Sequence, residues 1–297
     1  MPSGILLLDK PRGLSSNAAL QRVRALYARE KAGHVGSLDP LASGMLPICL
    51  GEATKVAGDL LQGRKCYRFS IALGSATDTG DSAGAVSATA PVPALTRAGI
   101  ESALAAFLGP QQQVPPMYSA LKQGGEPLYR LARAGLTVPR APRRIELFAL
   151  ALAADPVPGS LELEALCSKG TYIRVLAEDI ARALGSCGHV TALRRLYVEP
   201  FASEDMVPLE ELTALAAGGA LPTLIAPDRA LAHLPAIRLP AAAARRLRHG
   251  ERVAADTPPS ASRVRLYDEA GEFLGLGEAD TSGGVQPRRL LRSESSA

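Results

Sequence analysis

One carboxylate and one imidazole share the stretch Gly33-His34-Val35-Gly36-Ser37-Leu38-Asp39-Pro40-Leu41-Ala42-Ser43-Gly44. Its glycines and its proline predict a loop rather than a helix or strand interior. A carboxylate on a glycine-permitted turn can come close to a ligand, because the backbone around it carries little side-chain bulk. An aspartate in water is ionised at neutral pH, so Asp39 suits a nucleophile or an ion-pair stabiliser better than a general acid. Asp-Pro also starts many ordinary turns, and on its own it would carry no function.

The elements around this loop can be read from pattern. Residues 5–8 form a short apolar run, predicted as a buried strand that the Lys10-Pro11-Arg12-Gly13 turn ends. Ser15 or Ser16 can cap a helix whose apolar face is Leu20, Val23, Leu26 and Tyr27. Residues 53–61 read as a short helix stopped by Gly63, and 65–73 alternate as a strand. Tyr67 lies in that strand, where a tyrosine usually packs against neighbours. Residues 96–108 read as an amphipathic helix stopped by Gly109-Pro110. Residues 111–144 are polar and basic, with Tyr118, Lys122, Tyr129, Arg130 and Arg133 interleaved. Strands are expected at 145–152 and 161–167, then a helix from Lys169-Gly170-Thr171 through Leu184, closed by Gly185. Tyr172 and Arg174 fall in its first turn, an end that faces a phosphate or Asp39, or where Arg174 makes a structural ion pair. After Pro200 a helix is expected over 208–218 and a proline-punctuated linker over 222–240. Strand-like runs follow at 263–267 and 273–277, and 293–297 read as a frayed tail.

Composition narrows the function classes. The 297 residues suffice for two domains and the 47% apolar content for a substantial core, with no run long enough to span a bilayer. The N-terminus has no secretory pattern. Cys49, Cys66, Cys167 and Cys187 are scattered without a C-x-x-C pair, which speaks against a zinc site or disulfide framework and fits a reducing compartment. A net charge of +4 permits nucleic-acid binding without requiring it. Arginine clusters such as Arg140-Ala141-Pro142-Arg143-Arg144, Arg194-Arg195 and Arg245-Arg246-Leu247-Arg248 suit phosphate oxygens, although any one alone reads better as a solvated face. Asp78-Thr79-Gly80 matches the triplet of aspartic proteases. It sits among turn formers in residues 74–81, and the chain is far longer than a dimerising retroviral-type protease, so it reads as a polar loop.

The Asp39 loop continues as Met45-Leu46-Pro47-Ile48-Cys49-Leu50-Gly51-Glu52-Ala53-Thr54-Lys55. Further segments are Gly4-Ile5-Leu6-Leu7-Leu8-Asp9-Lys10-Pro11, Ser15-Ser16-Asn17, and Thr77-Asp78-Thr79 with Asp81. Then come Pro116-Met117-Tyr118-Ser119-Ala120-Leu121-Lys122, Cys167-Ser168-Lys169-Gly170-Thr171-Tyr172-Ile173-Arg174, His189-Val190 and Leu193-Arg194-Arg195-Leu196. Together, and in this order, they resemble the TruB family of bacterial tRNA pseudouridine-55 synthases, with a weaker echo at Pro287-Arg288-Arg289-Leu290.

The resemblance implies an α+β fold, a mixed, largely antiparallel sheet flanked by helices (the pseudouridine synthase fold), over residues 1–232. An RNA-clamping insertion is expected at about 111–144, and a small PUA-like β domain that binds RNA at 236–292. It implies isomerisation of uridine to pseudouridine at position 55 in the T-arm of tRNA, with the base flipped out and Asp39 as the nucleophile. By the same resemblance, His34 stacks in the vacated space, Tyr67 stacks on the base, and Tyr172 closes the pocket. Arg174 pairs with Asp39, Leu193 supplies an apolar wall, and Asp81 organises this side of the site. Tyr67, favoured here, or another group removes the C5 proton. An isomerisation needs no cofactor or metal, and the sequence has no Rossmann or Walker motif. The expected setting is a cytoplasmic monomer acting on tRNA without guide RNA or membrane. Val35, Ser37, Ser43 and Cys66 depart from the commoner family residues and remove no chemical group. The alternative is a non-catalytic tRNA-binding or folding factor in which Asp39 is dispensable.

Overall fold

The computed structural model describes residues 3–202, 204–254 and 261–292, so the expected tail at 293–297 lies outside the described residues. The chain opens with β1 (Gly4–Lys10), α1 (Ser16–Leu26) and β2 (Ala32–His34), then turns into β3 (Ser43–Leu50). A 3₁₀ turn (Gly51–Lys55) and α2 (Ala57–Leu60) lead to β4 (Lys65–Leu73). A hairpin of β5 (Ser75–Thr77) and β6 (Val86–Thr89) precedes α3 (Arg97–Ala105) and β7 (Gly109–Gln113). The insertion holds β8 (Lys122–Gln123), β9 (Glu126–Pro127) and α4 (Leu128–Arg133). Then follow β10 (Arg143–Leu152), β11 (Ser160–Cys167), α5 (Ile173–Ala183), β12 (Gly188–Val198), β13 (Val207–Pro208) and α6 (Leu209–Ala217).

Nine of these strands form one sheet, in the order β13-β1-β3-β12-β4-β11-β10-β7 with β2 beside β3. It is mixed and largely antiparallel: β1–β13 and β3–β12 run parallel, the other pairs antiparallel. The β3–β12 contact joins only Arg194 to Ser43 and Arg195 to Gly44, a narrow seam between two half-sheets. One face is covered by α1, α3, α5 and α6, whose Leu20, Val23, Ile100, Leu104, Leu176, Ile180 and Leu212 enter the main core. Burying each such side chain contributes about 1.5–3 kcal/mol. Under the other half, Ile5, Leu7, Met45 and Cys49 pack on the 3₁₀ turn, α2, Ala230 and Leu231.

Several elements differ from the pattern-based expectation. The Gly33–Gly44 stretch is not all loop, because β2 ends on His34 and β3 begins at Ser43. The helix expected from Lys169 begins at Ile173, with Tyr172 as its N-cap. The 53–61 helix is a 3₁₀ turn followed by a single α-turn. Residues 222–240 are packed rather than a linker: Ile5 and Ile225 exchange backbone hydrogen bonds at 2.8 and 2.9 Å, and Leu231 is fully buried.

A second sheet, β14 (Ala236–Arg238), β15 (Val253–Ala254), β16 (Arg263–Tyr267), β17 (Phe273–Ala279) and β18 (Gly284–Leu290), packs on α7 (Ala241–Arg248) around its own core. It is docked onto the first unit. Leu276 joins the core beneath β1 and β3, Lys55 Nζ donates to the Leu290 carbonyl (2.8 Å), and Tyr267 Oη donates to Asp228 (2.8 Å).

Candidate active site

Asp39 stands on the turn between β2 and β3, and its backbone is clamped on both sides. Ser16 Oγ accepts from the Leu38 N–H (2.7 Å) and donates to the Leu38 carbonyl (3.0 Å). The Gly13 N–H donates to the Pro40 carbonyl (2.7 Å). The two serines divide the labour: Ser15 caps α1 by accepting from the Ala18 N–H, which leaves Ser16 for the loop. Lys10, fully buried, holds the intervening turn by donating to the Pro11 and Leu14 carbonyls at 2.8 and 2.7 Å. Burial is the main reason its ammonium is lowered to about 8; Asp39 opposes the shift and Arg195 adds to it.

From the other half-sheet Arg174 reaches Asp39. Its Nε donates to Asp39 Oδ2 (2.8 Å), Nη1 to the Thr79 carbonyl (2.6 Å) and Nη2 to the Tyr118 carbonyl (2.7 Å). Asp81 Oδ2 lies 3.8 Å from Nε, and Asp81 Oδ1 accepts from Thr79 Oγ1 and the Ala83 N–H. The guanidinium is 4% exposed while the Asp39 carboxylate is 39% exposed, so the arginine is a buried hand presenting a half-open carboxylate. A cation in the first turn of a helix opposes the macrodipole by about 0.3–1 kcal/mol, and the carbonyl and carboxylate partners offset that. The Asp78-Thr79-Gly80 triplet is absorbed here. Gly80 has φ +72°, and a Cβ there would collide with Glu178 on α5, so glycine brings the Thr79 carbonyl against Arg174.

A cleft of about 580 Å³ opens over Asp39, lined by Tyr67, Tyr172, Arg174 and Leu193, by Lys65, Arg195, Arg143, Arg144 and Lys169, and by Ser119, Ala120 and Leu121 from the insertion. Lys65, Arg143, Arg144, Lys169, Arg174 and Arg195 set six cations against the single carboxylate Asp39 on its walls. Such a cleft attracts a polyanion. The sheet register places Arg195 opposite both Tyr67 on β4 and Gly44 on β3. Gly44 has φ +98°, and any Cβ would overlap the Arg195 carbonyl, so only glycine permits this crossing.

Thus the structure brings Asp39, Tyr67, Tyr172, Arg174 and Leu193 together. His34 stands apart, on β2 and outside the cleft lining, with a buried Nδ1 that has no partner among the described residues. Burial, helped by Arg195, lowers its pKa, so the ring is neutral at neutral pH. Burial likewise raises the phenols of Tyr67 and Tyr172.

Pattern reading missed three groups. Arg195 is 1% exposed, and Nε and Nη2 donate to the Met45 and Gly36 carbonyls at 2.7 and 2.8 Å. It is neither a solvated face nor a free phosphate ligand but a pin for the Asp39 loop. Its neighbour Arg194 pairs with Asp9 (2.7 Å). Lys65, 4% exposed, donates to the Leu61 and Gly63 carbonyls at 2.5 Å, and burial next to Arg195 lowers it to about 8. Gln113, also buried, bonds the backbone of Tyr172. Only its place inside a quoted motif marked Arg195, and Lys65 stood out only as the first residue of an expected strand.

Comparison with known proteins decides the lineage. Residues 24–173 match the model of the TruB family pseudouridylate synthase N-terminal domain. Residues 174–231 match a tRNA pseudouridylate synthase B C-terminal domain, and 235–291 the C-terminal model of pseudouridine synthase II TruB. The chain belongs to the TruB family. Tight relatives cover nearly all of it. The tRNA pseudouridine synthase B of Chromohalobacter salexigens is 51% identical over 99% of this chain and 96% of its own. That of Nitrosococcus oceani is 50% identical over 98% and 96%. Among solved structures, a Cbf5-Nop10-Gar1 complex aligns over 98% of this chain and 84% of its own (TM-score 0.72, 24% identity). An H/ACA RNP bound to a substrate RNA containing 2′-deoxyuridine covers 98% and 85% (TM-score 0.73, 21% identity). These two show that the TruB-family chain shares the pseudouridine synthase fold.

Proposed function

We propose that this pseudouridine synthase converts uridine 55 in the T-arm of tRNA to pseudouridine, with Asp39 as the nucleophile. The observation that carries the reading is the half-exposed Asp39 carboxylate, aimed by buried Arg174 into a cationic cleft with Tyr67 and Leu193 on its walls. Relatives about 50% identical along the whole chain carry the name tRNA pseudouridine synthase B, which supports tRNA as the substrate. Their likeness also favours action without a guide RNA.

The chemistry breaks the N1–C1′ bond, turns the uracil, and joins C5 to C1′, with the C5 proton lost and N1 reprotonated. The base must leave the RNA stack, at a cost of a few kcal/mol. Cations on the cleft walls offset part of this by holding phosphates. Tyr67 and Leu193 sandwich the extruded ring, and Tyr172 closes over it. Arg174 fixes the direction of the Asp39 carboxylate through its Nε hydrogen bond, which suits attack on the ribose or the ring. His34, neutral and set back from the cleft, stacks in the place the base has left. Tyr67 serves as the stacking platform and is the group favoured to take the C5 proton, with burial raising its phenol above the ordinary value.

The test is carbodiimide mapping of unmodified tRNA after incubation with purified protein and with Asp39→Asn. The expected result is one new stop at position 55 with the wild-type protein and none with the variant, tRNA binding being kept. Tight binding without any stop would instead establish a non-catalytic tRNA-folding factor.

A further inference from the structure

Helix α5 carries Arg174 and, at its N-cap, Tyr172, yet no side chain within the helix start caps it. Gln113, the last residue of β7, does the work from outside. Its Oε1 accepts from the Tyr172 N–H at 2.7 Å, and its Nε2 donates to the Tyr172 carbonyl at 3.1 Å. The same carbonyl accepts the first intrahelical bond, from the Leu176 N–H at 3.1 Å. Gln113 is 5% exposed, so these bonds are not traded with water. The reciprocal amide pair fixes both peptide units of one residue, at φ −98° and ψ 107°. A rotation there would swing the Tyr172 ring and displace Arg174 two residues on. Five residues after Gln113, the Tyr118 carbonyl receives Arg174 Nη2, so the root of the insertion grips this helix end twice.

We propose that Gln113 is a positioning residue of the reaction, setting the Tyr172 ring and the Arg174 guanidinium through the Tyr172 backbone; this rests on the functional reading above. No other side chain bonds this peptide among the described residues. Gln113 never touches the reacting atoms, so its loss should act on the chemical step rather than on RNA capture.

The experiment compares wild type, Gln113→Leu and Gln113→Glu in single-turnover release of tritium from tRNA labelled at uracil C5, beside tRNA Kd by filter binding. A misplacement of about 1 Å at a catalytic group costs up to about 100-fold. Gln113→Leu should therefore slow release roughly 10- to 100-fold with Kd unchanged within about threefold. Gln113→Glu adds a readout that a merely structural role would not move. A protonated carboxyl both donates to the Tyr172 carbonyl and accepts from its N–H, whereas a carboxylate only accepts. Its rate relative to wild type should rise as pH falls. The charged side chains on the adjoining elements are Arg143, opposite position 113 on β10, Arg174 on α5, and Asp39 on its loop. These groups and the Tyr172 phenol are present in both proteins, so a pH-dependent ratio reports the introduced carboxyl.

A Gln113→Leu rate within twofold of wild type, or a loss confined to Kd, overturns the proposal, as does a flat Gln113→Glu ratio. If wild type itself releases no tritium, the functional reading falls. Positioning is then judged by ¹⁹F NMR of protein labelled with 3-fluorotyrosine, the Tyr172 signal being identified by its absence in Tyr172→Phe. A Tyr172 signal that Gln113→Leu leaves unmoved refutes the placement.

Discussion

Replacing Arg174 by lysine keeps the positive charge and removes the fork. The guanidinium meets three acceptors in three directions, Asp39, the Thr79 carbonyl and the Tyr118 carbonyl, with Asp81 3.8 Å away. A lysine ammonium on its flexible stem cannot span that set. Two consequences separate by burial. Asp81 is 9% exposed on its side chain, so weakening its pair approaches the case of a broken buried pair, about 3–5 kcal/mol of stability at full loss. Asp39 is 39% exposed, so its share of that stability is small. What Asp39 loses is direction. One charge-assisted hydrogen bond is worth about 1.5–3 kcal/mol, which corresponds to about 10- to 150-fold in rate if it acts only in the transition state. Single-turnover tritium release and urea unfolding of Arg174→Lys should thus show both a rate loss in that range and a lowered midpoint. An Arg174→Lys enzyme that works within threefold of wild type would refute the claim that the planar fork aims the proposed nucleophile.

Two further outcomes follow from the same geometry. Ser15→Ala should cost about 1 kcal/mol of stability through the lost N-cap and leave the rate intact, whereas Ser16→Ala should lose about 1–3 kcal/mol and slow turnover as the Leu38 clamp opens; equal behaviour of the two variants would contradict the division of labour. Lys65 titrates near 8 in the fold against an ordinary 10.5, so across that window the unfolded chain binds more protons and stability rises with pH. Below pH 8 the lysine is charged in both states and contributes no slope. In urea unfolding, wild type should therefore gain about 1 kcal/mol over Lys65→Met between pH 8 and 9; a constant gap would mean a lysine that stays charged when folded.

Residue type and local spacing made the α1 cap and several helix stops legible, because capping serines, glycine stops and 3.6-residue periodicity are local signals, whereas Asp39 and Arg174 were singled out by the motifs around them. Strand β12 was not legible in that way. Its bulges at Val190/Ala192 and Arg195/Tyr197 break the two-residue alternation, so its inward residues fall out of phase. In β3, Pro47 and the flanking glycines mimic a loop, although the strand pairs with β1 along its length. Burial of a cation is set by tertiary packing alone. Lys10, Lys65 and Arg195 look like surface residues in a sequence and are held inside by backbone carbonyls. The contact of Gln113 with Tyr172 joins positions 59 residues apart, beyond the reach of any local pattern.

The two-residue seam between the half-sheets has a consequence for how the protein is made. Asp39 and its Ser16 and Gly13 clamps are translated ahead of the second half-sheet, and β1, β2 and β3 can pair while that stretch is still being made. Arg174 comes 135 residues later. Strand β4, apolar on its inward face, must wait for both of its neighbours, β11 and β12, with two unpaired edges in the meantime. Such long-range closure is slow, and open edges invite intermolecular pairing. A nascent chain released before β12 would thus carry the carboxylate without its arginine in place and an adhesive strand without its cover. In the order of synthesis, the Asp39 carboxylate is built well before the arginine that orients it.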